Sequence, residues 1–166
     1  MSKVSLEVQK LTHEAFKPFG DVIDAEGDFI EINQGTCQRF HDLASIDVTE
    51  NSGRPLFNIF RATPRLRPIA IKIIERHPLS SQAFFPLDNK PYFVLVAPAA
   101  EEVDINSLSV FIANGRQGVN YHRGIWHHPL MAIDEVTDFI VIDRGGEGEN
   151  CDEFYFPEDI TVHVNF

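Results

Sequence analysis

The chain is written in short apolar runs, each bounded by proline, glycine or asparagine, and that punctuation limits what it can fold into. "DFIEIN" (28–33), "PLFNIFRA" (55–62), "IAIKIIERH" (69–77) and "AFFPL" (83–87) are of strand length. So are "YFVLVAP" (92–98), "GIWHHPLMAI" (124–133), "DFIVID" (138–143) and "ITVHVNF" (160–166). The last alternates, with Ile160, Val162, Val164 and Phe166 on one face and Thr161, His163 and Asn165 on the other. In contrast "YFVLVA" is apolar throughout, as expected of a strand buried on both faces. Helical signals are weak. Thr12 as N-cap, with Pro18 and then Gly20 as a stop, predicts one short helix near 13–17, and Asn106 opens either a helical turn or a strand. "RATPRLR" (61–67) reads as a solvated turn and "GGEGEN" (145–150) as a tight surface loop. Many short strands with one or two short helices predict an all-β fold, a sandwich or small barrel, as one domain over residues 1–166.

Charge narrows the partners. The formal net charge is -11, from 14 basic and 25 acidic residues, the wrong sign for phosphate recognition, so no nucleic acid is expected. No apolar run reaches the roughly 18 residues of a membrane span. The opening "MSKVSLEVQK" lacks the apolar segment of a secretory leader. Cys37 and Cys151 match no metal or redox spacing, so a cytoplasmic protein with two unpaired thiols is expected.

A small barrel can enclose one ligand, so polar groups that interrupt apolar strands are the candidate site residues. Glu75 and His77 stand two apart, on one strand face, and Gln82 follows beyond the turn-like "PLSS". His127 and His128, as strand neighbours, must point to opposite faces, so only one can look inward.

These spacings resemble the two motifs of the cupins. Glu75-x-His77-x4-Gln82 stands where the first motif has His-x-His, four residues and Glu, and Gly124-x-x-His127 matches the second. Two histidines, a carboxylate and an amide could hold a divalent ion of the Ni, Mn or Zn kind, more weakly than three histidines would. Glu75 and Gln82 could equally be hydrogen-bonded polar liners with no metal.

Longer strings carry a more specific likeness. "RFHDLA" (39–44), "ERHPLSSQAFFPL" (75–87), "GVNYHRGIWHHPL" (118–130) and "DFIVIDRGGEGENCDE" (138–153), with "LTHEAFKPFGDVI" near the start, are similar to bacterial ureidoglycolate lyases, once called ureidoglycolate hydrolases. The resemblance implies a cupin-like double-stranded β-barrel, a homodimer, and cleavage of (S)-ureidoglycolate to glyoxylate and urea in purine and allantoin degradation. It also implies stimulation by Ni²⁺ or another divalent metal.

The implied chemistry suits the residues. One substrate carbon bears a hydroxyl, a carboxylate and the ureido nitrogen, so cleavage needs a base at the hydroxyl and an acid at the leaving nitrogen. Histidine serves both roles near neutral pH. His77 and His127 are therefore expected at the centre, beside Glu75 and Gln82, with His128 outward and His122 at the rim. Arg61, on the strand face of Phe57 and Ile59, and Arg123 are expected to fork onto the carboxylate. Asn120 and Tyr121 are expected as further contacts, Asn120 at the urea end, with Arg39 and His41 as lesser ones. Two alternatives stay open: a metal-dependent cupin isomerase or dioxygenase on another small acid, and a non-catalytic cupin that binds a small carboxylate.

Overall fold

A computed structural model describes residues 2–166. The strands of the first half are β1 (Ser2–Lys10), β2 (Gly20–Ile23), β3 (Ile30–Ile32), β4 (Cys37–Arg39), β5 (Arg54–Ala62), β6 (Ile69–Ile71) and β7 (Ile73–Arg76). Those of the second half are β8 (Gln82–Pro86), β9 (Tyr92–Ala97), β10 (Ser109–Ala113), β11 (Gly118–Tyr121), β12 (Trp126–His127) and β13 (Met131–Ala132). The last three are β14 (Thr137–Gly145), β15 (Asp152–Tyr155) and β16 (Ile160–Asn165). The fold is all-β and cupin-like, as the resemblance implied. Its one α-helix among the described residues is α1 (His13–Phe16), where the Thr12 hydroxyl accepts from the Ala15 amide at 3.1 Å. No helix among them is long and apolar enough to cross a membrane.

The larger sheet runs β15-β7-β12-β9-β10-β1-β16-β6, with β13 also on β9, and the smaller runs β2-β11-β8-β14-β5. β6 and β7 lie near opposite ends of the larger sheet yet are joined through Lys72 alone, so that sheet must curl until its ends meet. Inside the curl sits one core, with Phe93, Leu95 and Ala97 of β9 against Ile69, Ile71, Ile74, Val162 and Val164. A second core, with Tyr92, Val94 and Val96 of the same strand, meets Phe84, Val119, Phe139 and Val141 of the smaller sheet. β9 is therefore buried on both faces, the burial its unbroken apolar run requires.

Three expectations need correction. β1 was not anticipated, although Val4, Leu6 and Val8 alternate with polar residues; it lies parallel between β10 and β16. The 69–77 run splits at Lys72, and the 124–133 run yields only β12 and β13 because Pro129 has no amide to give to a ladder. Gly20 does not stop the helix but opens β2, at φ +156°, where a Cβ would lie 1.8 Å from the Asn120 carbonyl oxygen.

Two surfaces stand apart. In the smaller sheet Phe139 and Val141 face the core, so Ile140 and Ile142 face away, in register with Ile59 and Phe57 of β5. Phe57 and Ile59 are 70% and 53% exposed, so this outer face is apolar at its β5 edge. The β3–β4 hairpin pairs only with itself and carries exposed Phe29 and Ile30.

Candidate active site

A cavity of about 490 Å³ opens where β7, β8, β11 and β12 come together beneath β5. Register assembles it. His127 of β12 stands directly across from Glu75 of β7, and Tyr121 of β11 across from Gln82 of β8. Phe60, Phe84, Pro129 and Leu130 supply apolar wall, and the Tyr121 ring stacks on His127, centroids 4.2 Å apart and 13° from parallel. His77, just past β7, stands beside them, its ring centroid 5.0 Å from that of His127.

The hydrogen bonds decide where the ring protons sit. His77 Nδ1 donates to the Asn150 carbonyl at 2.6 Å and His127 Nδ1 to the Ile125 carbonyl at 2.9 Å. A carbonyl oxygen only accepts, so in each neutral ring Nε2 carries a lone pair. His77 Nε2 lies 3.0 Å from Gln82 Oε1 and 3.9 Å from Glu75 Oε1. His127 Nε2 is buried without a hydrogen-bond partner, 3.5 Å from the same Glu75 oxygen. Gln82 cannot turn its amide to His77 without giving up its hydrogen bond to Asp143, at 3.4 Å.

Lone pairs of four side chains thus converge with no proton between them, which is electrostatically unfavourable unless a cation joins them. A proton on one imidazole is one solution and a metal ion is another. Glu75, His77 and His127 bring ligand atoms within 4.8 Å of one another, so they fit a metal. A histidine that anchors one nitrogen on a backbone carbonyl and turns the other to the site is also the usual metal-binding arrangement.

Electrostatics point the same way. His127 holds Glu75 below the ordinary carboxylate range, against burial, and burial keeps His127 below the usual imidazole range. At neutral pH the pair is therefore carboxylate and neutral imidazole. Burial, reinforced by Glu75, raises the Tyr121 phenol, which stays protonated.

Residues 3–163 match the family model for ureidoglycolate lyase. The chain belongs to the ureidoglycolate lyase family. A ureidoglycolate lyase of Burkholderia mallei is 54% identical over 95% of this chain and 93% of its own. One from Pseudomonas entomophila is 47% identical over 97% of each, and one from Pseudomonas syringae pv. syringae 49% identical over 92% of this chain and 91% of its own. Among solved structures, a dTDP sugar isomerase from Desulfovibrio desulfuricans G20 aligns with a TM-score of 0.45 at 16% identity, covering 86% of this chain and 87% of that one.

The strings that carry the resemblance do not all converge on the cavity. Glu75, Gln82, Tyr121 and His127 line it, with His77 alongside. Arg61 reaches only its rim: its side chain is 73% exposed, on the outer sheet face, and forks onto Asp138 at 2.8 Å through both Nε and Nη2. Arg123 is turned elsewhere, bound to Asp47 at 2.9 and 2.8 Å and to Glu50 at 3.0 Å. Asn120 faces away from the cavity, donating to Asp21 and to the Ser45 carbonyl, both at 2.9 Å. Arg39 and His41 are exposed on and beside the projecting hairpin, and His122 pairs at 3.0 Å with Asp21. Asn120 and Arg123 thus fasten the 45–50 segment to the barrel, a role that local pattern could not reveal because their partners are about 75 positions or more away.

His128 corrects the alternation argument. β12 ends at His127, so His128 is not bound to the opposite face; it is buried and lines the same cavity. The signal was Pro129, which ends the ladder. Burial depresses the His128 imidazole from 6.5 to about 4. The unfolded chain therefore holds the extra proton between those values, so stability is full above about pH 6.5 and is lost as pH falls toward 4. The loss should approach about 3 kcal/mol, with His127 adding in the same sense. Urea denaturation at pH 7.0 and 4.5 should show this drop, and His128→Asn should reduce it; a pH-independent midpoint would contradict the assignment.

Proposed function

We propose that this chain cleaves (S)-ureidoglycolate to glyoxylate and urea, with the Glu75–His77–Gln82–His127 cluster as its centre. The observation that carries the reading is the convergence of unprotonated ligand atoms in one cavity, in a chain of this family. Arg61 is the one permanent cation among the lining residues, and Asp138 already neutralises it. No permanent cation of the lining is therefore free for the carboxylate of the substrate, and a divalent ion held by the cluster would supply that charge.

His77 and His127 carry the proton. Each Nε2 is an acceptor held in place through Nδ1, and taking the hydroxyl proton there lets the C–N bond break as the carbonyl of glyoxylate forms. Glu75, 3.5 and 3.9 Å from the two Nε2 atoms, stabilises the imidazolium so produced. Returning the proton to the departing nitrogen releases urea and restores the neutral ring. Tyr121, protonated and stacked on His127, is a donor for the ureido carbonyl. Glu75, His77 and His127, with the Gln82 carbonyl as a fourth oxygen, would hold Ni²⁺ or a similar divalent ion. Bound there, it would supply positive charge to the hydroxyl and carboxylate oxygens. No feature of the site favours the isomerase, dioxygenase or non-catalytic readings.

We also read the working form as a cytoplasmic homodimer. Two exposed free thiols, Cys37 and Cys151, suit a reducing compartment. The apolar outer face with Phe57, Ile59, Ile140 and Ile142 is a surface on which two strongly acidic copies can meet without opposing charges. Phe57→Asp should shift the protein to monomer in sedimentation; an unchanged sedimentation coefficient would remove this face from the interface. The function itself is tested by assaying urea and glyoxylate from ureidoglycolate, and binding without release of either would overturn it.

A further inference from the structure

The chemistry proposed above leaves one buried polar group of the cavity unused. His128 is 2% exposed and lines the same cavity as Glu75, Tyr121 and His127. Its Nδ1 lies 2.7 Å from the Pro129 carbonyl oxygen, an acceptor only, so Nδ1 carries the hydrogen and Nε2 the lone pair. That Nε2 is fully covered and has no hydrogen-bond partner. It also stands outside the group of Glu75, His77 and His127 whose ligand atoms lie within 4.8 Å of one another. A buried acceptor left without a donor is unfavourable, so a ligand that brings the missing donor binds preferentially.

We infer that His128 Nε2 accepts a hydrogen bond from an N–H of the ureido group and thereby selects ureido acids over other small hydroxy acids. The inference rests on the proposed cleavage of ureidoglycolate. The two ends of that substrate differ in kind. Its carboxylate and hydroxyl oxygens suit the cation-binding cluster, whereas its ureido group is rich in N–H and needs acceptors. Among the polar residues lining the cavity outside the cluster, Arg61 only donates, and the Tyr121 phenol is held protonated. His128 alone among these offers a fixed lone pair with no hydrogen of its own at that position. A site built to pair a substrate N–H discriminates strongly against an analogue that lacks it, because the acceptor is then left unpaired.

The test compares two non-cleavable probes by calorimetry on the full chain. N-carbamoylglycine carries the carboxylate and the ureido group, and glycolate carries the carboxylate and the hydroxyl alone. His128→Asn keeps a donor for the Pro129 carbonyl but removes the acceptor at the Nε2 position. It should weaken N-carbamoylglycine roughly tenfold or more while changing glycolate by less than about twofold. The KM for ureidoglycolate should rise by a similar factor, with kcat changed much less. His128→Phe, which keeps the ring volume without the acceptor, should behave alike and serves if the asparagine variant does not fold. Equal weakening of both probes, or of neither, in a wild-type background that releases urea and glyoxylate, overturns the role of His128 and leaves the function standing. A wild-type protein that neither cleaves ureidoglycolate nor binds N-carbamoylglycine overturns the functional reading, and this inference with it.

Discussion

His127→Ala is expected to lower kcat on ureidoglycolate by about 10²–10⁴-fold, the range of a positioned acid–base group. The ring is 1% exposed, anchored through Nδ1 on the Ile125 carbonyl, and presents an unpartnered Nε2 at 3.5 Å from Glu75. Its removal deletes a proton acceptor and a cation ligand together. His77→Ala should cost a comparable amount, because its Nε2 approaches the same carboxylate and the Gln82 carbonyl oxygen. Arg123→Ala is the informative contrast. Its guanidinium is committed to Asp47 and Glu50, so the variant should lose some stability, about 1 kcal/mol for a partly exposed pair, and change kcat by only a few-fold. Steady-state kinetics with thermal melts of the three variants check this. A loss below about tenfold for a folded His127→Ala would take the imidazole out of the chemistry.

Chelator-treated protein is expected to keep part of its activity and to regain the rest on addition of Ni²⁺ or Mn²⁺. The partial effect follows from the donor set. Glu75 brings the single negative charge, Gln82 a neutral carbonyl, and His77 and His127 two neutral nitrogens, so any bound ion is exchangeable and in competition with protons. Metal affinity measured by titration calorimetry should fall at acidic pH, where protons compete with the ion for the same donor atoms. Glu75→Ala should abolish both binding and stimulation. Full activity of a verified metal-free preparation, unresponsive to added ions, would restrict the mechanism to proton transfer.

What could be read from the chain, and what could not, divides along physical lines. The doubly buried β9 was legible because a strand covered on both faces must be apolar at every position. The spacing of Glu75, His77 and Gln82 was legible because strand period fixes side-chain direction over a few residues. β1 carried the same kind of signal in Val4, Leu6 and Val8, but its many polar residues masked it. The fates of Arg61, Arg123 and Asn120 were not legible, since each is set by a carboxylate distant in sequence: Asp138, Asp47 and Asp21. Alternation misplaced His128 because it assumed a strand that Pro129 had already ended.

The most direct test of the account is the product balance of the wild-type chain and Glu75→Ala on (S)-ureidoglycolate, with urea, glyoxylate and ammonia measured in the same samples. The account predicts urea and glyoxylate in equal amounts from the wild type, no ammonia, and a large loss of both products in the variant. Ammonia in place of urea, or undiminished release by a folded Glu75→Ala, would contradict it.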